Sequence, residues 1–154
     1  MNSAIILAGG IGKRLNSKTP KQFIRSCNGN RIIDFSIEAF KKNKNIDEIV
    51  IVLPLEWIDK YGSDYKDYKL VPGGEERYQS SKEGLLACSK KSKSVLIHDA
   101  ARPLISQNLI DDCIYYLTNY DAVAPYIPAT DSLIHLDDDV RYLNRNNIKL
   151  IQTP

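Results

Sequence analysis

Short apolar runs alternate with segments of helical periodicity along most of this chain, and this alternation limits the folds open to it. Buried strands are predicted at residues 3–7 and 48–53, and further strands at 69–71, 94–98 and 122–127. Helices are predicted at residues 32–40, 55–61, 78–88 and 106–117. Strands that alternate with helices of this length are typical of βαβ units, so we predict an α/β fold around a mostly parallel sheet.

Two details of this prediction concern side chains and the end of the chain. In the helix at residues 78–88, we expect Leu85 and Leu86 to be the buried side chains. After the last predicted strand, two short apolar segments at residues 133–136 and 140–143 flank three consecutive aspartates. Two such segments around a polar turn predict a β-hairpin.

The composition excludes several classes of protein. The chain has 154 residues, of which 43% are hydrophobic and 26% charged, and these values fit one globular domain over residues 1–154. Its apolar runs are too short to cross a membrane, and we expect no secretory signal, since no basic segment followed by a long apolar block stands near the N-terminus. Cys27, Cys88 and Cys113 are odd in number and widely spaced, so we expect neither a disulfide framework nor a zinc site. We therefore predict a reduced, cytoplasmic protein.

Positive charge is concentrated near the N-terminus, although the net charge of the chain is only +2. Residues 1–44 contain nine Lys or Arg and two acidic residues. Four of these cations lie within nine residues: Lys13, Arg14, Lys18 and Lys21. A solvated surface loop and a phosphate-rich ligand both account for such a cluster. Ligands of open parallel sheets bind at the carboxyl ends of the strands, so the loops after residues 7, 71 and 98 are the candidates for function.

The loop after the first strand is rich in glycine and reads Leu-Ala-Gly-Gly-Ile-Gly-Lys-Arg-Leu at residues 7–15. Glycines in such a loop allow backbone N–H groups to approach phosphate oxygens closely. A P-loop would have Ser or Thr at position 14, and a dinucleotide fingerprint would have Gly or Ala at position 15, so neither motif is present. Taken alone, the loop leaves open a phosphate site and a simple tight turn.

Four motifs in the same order resemble the cytidylyltransferases that act on methylerythritol phosphate or ribitol phosphate. They are this loop with Pro20-Lys21-Gln22, then Gly-Gly-Glu-Glu-Arg at residues 73–77, His-Asp-Ala-Ala-Arg-Pro at 98–103 and Gln-Thr-Pro at 152–154. The resemblance covers residues 4–154 and implies a Rossmann-like, glycosyltransferase-A-like nucleotidyltransferase fold with a protruding β-hairpin arm. Because such enzymes continue past the Thr-Pro motif, it also implies that this chain lacks their C-terminal part and has weak activity as it stands.

The resemblance implies transfer of CMP from CTP to a sugar-alcohol phosphate, with release of pyrophosphate. Arg14 and Lys21 would stabilise the transition state. Asp99 ends a predicted strand, where its carboxylate would project toward the ligand, and it is the candidate for contacts with Mg²⁺ or the acceptor. The implied CTP-binding residues are Leu7, Ala8, Gly9, Gly10, Gly12, Gly74, Glu75, Arg77 and Ser80. The implied acceptor-binding residues are Arg102, Ser132, Arg145 and Thr153. A phosphate monoester is largely dianionic near pH 7, so it can attack without a protein base.

Several alternatives remain open at this stage. Ser80 is followed by Ser81, and the sequence does not decide which hydroxyl faces the base; Asp99 could instead cap the turn that follows it. We favour 2-C-methylerythritol 4-phosphate as the acceptor, with ribitol 5-phosphate of teichoic acid or capsule synthesis as the alternative. A sugar-1-phosphate nucleotidylyltransferase and a non-catalytic nucleotide-binding module are the rival readings. The resemblance also implies a homodimer formed through the hairpin arm, and no nucleic-acid or membrane partner is expected.

Overall fold

A parallel four-stranded sheet forms the centre of the computed structural model, which describes residues 1–9, 19–137 and 139–152. Its strands are β1 (Asn2–Leu7), β2 (Glu48–Leu53), β3 (Lys69–Pro72) and β4 (Ser94–Asp99). They lie in the order β3-β2-β1-β4 and all neighbours are parallel. Leu7 is in register with both Val52 and Asp99, so three strands end side by side. The predicted α/β fold with a parallel sheet is confirmed.

Helices cover both faces of this sheet. They are α1 (Ile32–Lys41), α2 (Leu55–Tyr61), α3 (Arg77–Ala87) and α4 (Gln107–Tyr116). Successive residues of a strand point to opposite faces, and β1 accordingly divides its side chains between two cores. Ala4 and Ile6 pack in the larger core with residues of α1, α2 and α4, whereas Ile5 and Leu7 pack on the α3 side. Ser106 caps α4, because its Oγ accepts a hydrogen bond from the Leu109 amide at 3.2 Å.

The buried face of α3 is not the one predicted. Leu85 and Leu86 are 47% and 71% exposed, and the buried residues of this helix are Ser80 and Gly84. A Cβ added to Gly84 would lie 2.6 Å from Cγ2 of Ile5, which shows how closely the helix backbone approaches the sheet. The helix packs through its small residues because larger ones would not fit, so the prediction based on the leucines was wrong.

Two antiparallel strand pairs follow α4. β5 (Tyr126–Pro128) pairs with β8 (Lys149–Ile151), and β6 (Leu133–Leu136) forms the predicted hairpin with β7 (Val140–Leu143). The strand predicted at residues 122–127 starts only at Tyr126, since Pro125 has no N–H to donate to a strand ladder. In the described part of the chain, no helix combines the length and apolar character needed to cross a bilayer.

Candidate functional site

The carboxyl ends of β1 and β4 form the floor of the candidate site. The amide of Ala8 donates to the carbonyl of Val52 at 2.9 Å, and the amide of Ala100 donates to the carbonyl of Leu7 at 2.9 Å. These bonds extend the strand pairing by one residue on each side of β1. Leu7 and Ala8 are buried, and Gly9 is the first residue of the glycine-rich loop to be partly exposed. The loop therefore starts from a rigid edge.

Ser80 lies where the glycine-rich loop meets the turn after β3. Its side chain is buried, and a Cβ added to Gly9 or Gly73 would lie 3.1 or 2.8 Å from its Oγ. The same hydroxyl donates to the carbonyl of Gly74 at 3.4 Å. Ser81 instead donates to the carbonyl of Arg77, within its own helix, at 3.1 Å. Ser80 is thus the serine that faces the loops, whereas Ser81 is bonded within its own helix.

The turn that joins β3 to α3 is held by a reciprocal cap. The Glu76 amide donates to Gln79 Oε1 at 2.8 Å, and the Glu76 side chain accepts from the Gln79 backbone. The Gly73 amide donates to the carbonyl of Leu53 at 2.8 Å, which ties the turn to the end of β2. Gly74 and Glu75 are therefore presented on a fixed backbone, with Glu75 exposed.

Asp99, at the end of β4, pairs with two arginines: it accepts hydrogen bonds from Arg77, at the start of α3, and forms an ion pair with Arg102, in the loop after β4. Nε and Nη2 of Arg77 lie 3.2 and 3.0 Å from its Oδ1, and Nε of Arg102 lies 3.4 Å from its Oδ2. The buried His98 donates from Nε2 to the carbonyl of Arg102 at 3.1 Å, and Arg102 also donates to the side chain of Gln152. The structure therefore gathers Arg77, predicted for CTP, and Arg102, predicted for the acceptor, around one carboxylate.

The described residues fit a Mg²⁺ ion that arrives with a nucleotide better than a metal site made by the protein alone. Across residues 1–9, 19–137 and 139–152, no group of three His, Cys, Asp or Glu side chains is placed to hold a metal ion. Protein-bound Mg²⁺ commonly takes one or two carboxylates together with substrate phosphates and water. Asp99 is the carboxylate that this edge of the sheet offers, and a metal ion there would share it with the two guanidinium groups.

Lys21, the predicted catalytic lysine, lies on a short 3-10 turn over residues Lys21–Phe23. Its side chain is exposed, whereas the two residues after it, Gln22 and Phe23, are buried. Gln22 donates from Nε2 to the carbonyl of Ala8 at 2.6 Å, which connects this turn with the end of β1. The ring of Phe23 stacks on Trp57 with centroids 4.6 Å apart and planes 11° from parallel.

A buried polar network lies beneath this turn. Arg31 donates to the hydroxyl of Tyr65 at 3.0 Å and pairs with Asp64, while its guanidinium lies 4.1 Å from the centroid of Tyr61. The Tyr65 hydroxyl donates to Asp34 at 2.7 Å. Burial and this hydrogen bond to Asp34 raise the pKa of Tyr65 well above its ordinary value. Burial alone would lower the pKa of Arg31, but its hydrogen bonds to Asp64 and Tyr65 raise it instead.

The predicted acceptor residues of the C-terminal region are only partly brought together. Arg145 donates to the carbonyl of Thr130 at 3.1 Å, two residues from Ser132, and both predicted residues are exposed. The Gln152 side chain connects this region with the central site because it accepts a hydrogen bond from Arg102, and the Gln152 backbone N–H donates to the carbonyl of Pro125, just before β5, at 2.8 Å. The predicted residues Gly10, Gly12, Arg14 and Thr153 lie outside the residues that the structure describes.

Comparison with known proteins decides the family. The model of the family IspD, 2-C-methyl-D-erythritol 4-phosphate cytidylyltransferase, matches residues 2–154. The chain belongs to this family. A curated family member from Lachnospira eligens is 39% identical over 163 residues, which cover 100% of this chain and 71% of that protein. One from Clostridium botulinum strain Loch Maree is 40% identical over 164 residues and covers 99% and 70%.

Solved structures of IspD family members share the fold. The 4-diphosphocytidyl-2C-methyl-D-erythritol synthase of Anaerococcus prevotii superposes with a TM-score of 0.84 at 30% identity, covering 99% of this chain and 67% of that one. The bifunctional IspDF of Campylobacter jejuni gives 0.83 at 32% identity, covering 99% and 39%. These matches confirm the predicted family, its cytidylyltransferase class and the nucleotidyltransferase fold.

Two features of this IspD family site were not assigned from the sequence. In the sequence, Gln22 is only part of the Pro-Lys-Gln motif. Its position beside a candidate catalytic lysine is the one sequence signal for a role, and its burial is visible only in the structure. The pairing of Arg77 with Asp99 crosses 22 residues, and no local pattern indicates it. Both features involve side chains that connect separate loops at the same edge of the sheet.

Proposed function

We propose that this chain transfers CMP from CTP to 2-C-methyl-D-erythritol 4-phosphate and releases pyrophosphate. The observation that carries the proposal is the meeting of three loops at one sheet edge, where a Cβ on Gly9 or Gly73 would lie 3.1 or 2.8 Å from the Ser80 hydroxyl and Asp99 pairs with two arginines. The family match supplies the substrates: relatives named for this reaction align with the whole chain. No observation favours ribitol 5-phosphate, which stays an alternative acceptor for the assay.

The main requirement of this reaction is positive charge held at fixed positions around the phosphates. An oxygen of the acceptor phosphate bonds to the α-phosphorus of CTP while the bond from that phosphorus to the bridging oxygen breaks, and pyrophosphate carries away the electron pair. Since an anion attacks a polyanion, preorganised cations lower the barrier, and one such group typically contributes a few kcal/mol. We assign this role to Lys21 and to Arg14.

The remaining predicted residues bind and orient the substrates. Gly9 would offer backbone groups to CTP from the end of β1, opposite the turn formed by Gly74 and Glu75. Leu7 and Ala8, whose backbone groups bond Ala100, Val52 and Gln22, would fix the start of the loop that binds CTP. Ser80 would hold the two loops at a fixed separation for the cytosine ring. Gly10 and Gly12 are also assigned to CTP binding.

The acceptor and the metal would occupy the side of the site near β4. Arg102, Ser132, Arg145 and Thr153 carry hydroxyl or guanidinium groups suited to an acceptor phosphate and its hydroxyls. Mg²⁺ would neutralise phosphate charge beside Asp99 and so favour the departure of pyrophosphate. Arg77 would reach either Asp99 or a phosphate oxygen.

The hairpin of β6 and β7 supports the proposed homodimer. Its apolar side chains are exposed: Leu136, Val140 and Tyr142 are 67%, 65% and 85% accessible. A two-stranded hairpin is marginal on its own in water, and a second copy of the chain would cover these side chains. The free thiols of Cys27, Cys88 and Cys113 support a reducing compartment such as the cytoplasm.

Pyrophosphate release in the presence of CTP, Mg²⁺ and each acceptor tests the proposal. Lys21→Ala is expected to lower kcat by about 10²–10³-fold, in line with the loss of a preorganised transition-state group. Lys90→Ala is the matched control, because this exposed lysine precedes β4 at the opposite edge of the sheet. Release that is the same in both variants, or that occurs only with ribitol 5-phosphate, contradicts the assignment.

A further inference from the structure

We propose that Gln22 is a positioning residue for Lys21, through its hydrogen bond to the end of β1. The inference rests on the proposed function, since it assigns Gln22 a role in placing a group that acts on the phosphates. Gln22 is 2% exposed, and its Nε2 lies 2.6 Å from the carbonyl oxygen of Ala8. The bond joins residues that are 14 positions apart, on the two sides of the glycine-rich loop.

A second buried contact holds the next residue. The ring of Phe23 packs between Trp57, at 4.6 Å, and Tyr61, at 5.2 Å. The Trp57 amide donates to the carbonyl of Pro54, directly after β2, at 2.9 Å. Phe23 is therefore held near the end of β2 through Trp57, and Gln22 is held at the end of β1 through Ala8.

The backbone of Lys21 is fixed by these neighbours, while its own side chain faces outward. The amides of Phe23 and Ile24 donate to the carbonyls of Pro20 and Lys21 at 2.9 and 3.2 Å, so the turn is closed on itself. A lysine side chain has four flexible bonds and cannot set its own position. The place where the ammonium group meets a phosphate is consequently set by the turn, and the turn is tied to β1 by Gln22.

Removing the amide while keeping its shape isolates this effect. Gln22→Met preserves the length of the side chain and its apolar packing, but it leaves the buried carbonyl of Ala8 without this donor. A misplacement of about 1 Å at a reacting group can reduce a rate about 10²-fold. We expect Gln22→Met to lower kcat by about 10–100-fold and to change the KM for CTP less than threefold.

A double-mutant cycle distinguishes positioning from general weakening of the fold. If Gln22 acts through Lys21, Gln22→Met lowers kcat by less than about threefold on the Lys21→Ala background, because the group that it positions is already gone. The same loss on both backgrounds overturns the proposal, and so does an unchanged kcat in the single variant. Asn43→Leu is the control for stability. The buried Asn43 side chain follows the C-terminal end of α1 and donates hydrogen bonds to Gln107 and Asp111 of α4, so its loss lowers Tm without lowering kcat.

Amide hydrogen exchange provides a measurement that does not need turnover. In Gln22→Met the amides of Phe23 and Ile24 are expected to exchange at least tenfold faster, whereas those of α4 change no more than they do in Asn43→Leu. Unchanged exchange in the turn overturns the positioning role alone. A different outcome is faster exchange in Gln22→Met while the unsubstituted protein itself releases no pyrophosphate. This outcome overturns the proposed function, and with it the catalytic effect of the hydrogen bond from Gln22 to Ala8.

Discussion

Gly84→Ala tests how α3 is held against the sheet. Alanine is the better helix former, and in an exposed helix interior this change stabilises by about 1 kcal/mol. At Gly84 the new methyl group would lie 2.6 Å from Cγ2 of Ile5 and 3.1 Å from Cγ2 of Val52. Both neighbours are fully buried in β1 and β2.

The packing effect is expected to exceed the helix propensity. Carbon atoms in contact prefer a separation of about 3.5–4.0 Å, so the helix must move outward by roughly 1 Å or the strands must yield. Overpacking of this kind destabilises by about 1–3 kcal/mol, and occasionally by more. After subtracting the gain in propensity of about 1 kcal/mol, we expect the free energy of unfolding to fall by up to about 2 kcal/mol. Each kcal/mol lost lowers Tm by about 2–4 °C in a domain of this size.

Urea unfolding at 25 °C measures this change, and Leu86 supplies the comparison. Leu86 lies on the exposed face of the same helix, so Leu86→Ala should be more stable than Leu86→Gly by about 1 kcal/mol. The sign should reverse at position 84, where glycine should be more stable than alanine. If alanine stabilises at both positions, the close approach of α3 to Ile5 does not limit packing and the reasoning is wrong. Because Ser80 lies one turn earlier on the same face, CTP affinity should fall together with stability.

Three further predictions concern the network, the carboxylate and the hairpin. The pKa of Tyr65 is raised in the folded state, so the stability that its neutral hydroxyl contributes is complete below the ordinary tyrosine pKa of about 10 and is lost as the pH rises above it. Urea unfolding between pH 9 and 11 should therefore show a smaller loss of stability in Tyr65→Phe than in the unsubstituted protein. Asp99→Asn should lower pyrophosphate release at least about tenfold and raise the Mg²⁺ concentration for half-maximal rate, measured by metal titration. Tyr142→Glu places a charge on the exposed hairpin and should shift the sedimentation coefficient of the proposed dimer toward that of the monomer. A dimer that this substitution leaves unchanged would exclude the hairpin as its interface.

The central strands β1 and β2 were predictable because each is a short run of apolar residues that ends at Gly or Pro, which is typical of a buried strand. Helix α3 was found, but its orientation was not, since leucines are usually buried and here are displaced by smaller residues. The space available to α3 is set by Ile5 and Val52, and that information lies in other parts of the chain. Periodicity describes one element at a time, so it does not include the shape of the surface that the element meets.

The position of the site was also predictable, whereas its internal contacts were not. Parallel strands end at one edge, and this places the loops after β1, β3 and β4 together. Adjacent residues of a helix point about 100° apart, so Ser80 and Ser81 could be distinguished only once the face of α3 was known. The bond from Gln22 to Ala8 depends on the path of the chain between them, which a motif does not describe.

The electrostatics of this edge fit the polyanion site proposed above. Arg77, at the start of α3, and Arg102, in the loop after β4, have guanidinium groups that would repel each other if both faced the same space without a counter-charge. Asp99 pairs with both, at 3.0 and 3.4 Å, and keeps them side by side. With the exposed Lys21, these side chains carry a net positive charge that is already oriented. Charges placed in advance need little reorganisation when a reacting phosphate arrives, and this gives a preorganised site its advantage over water.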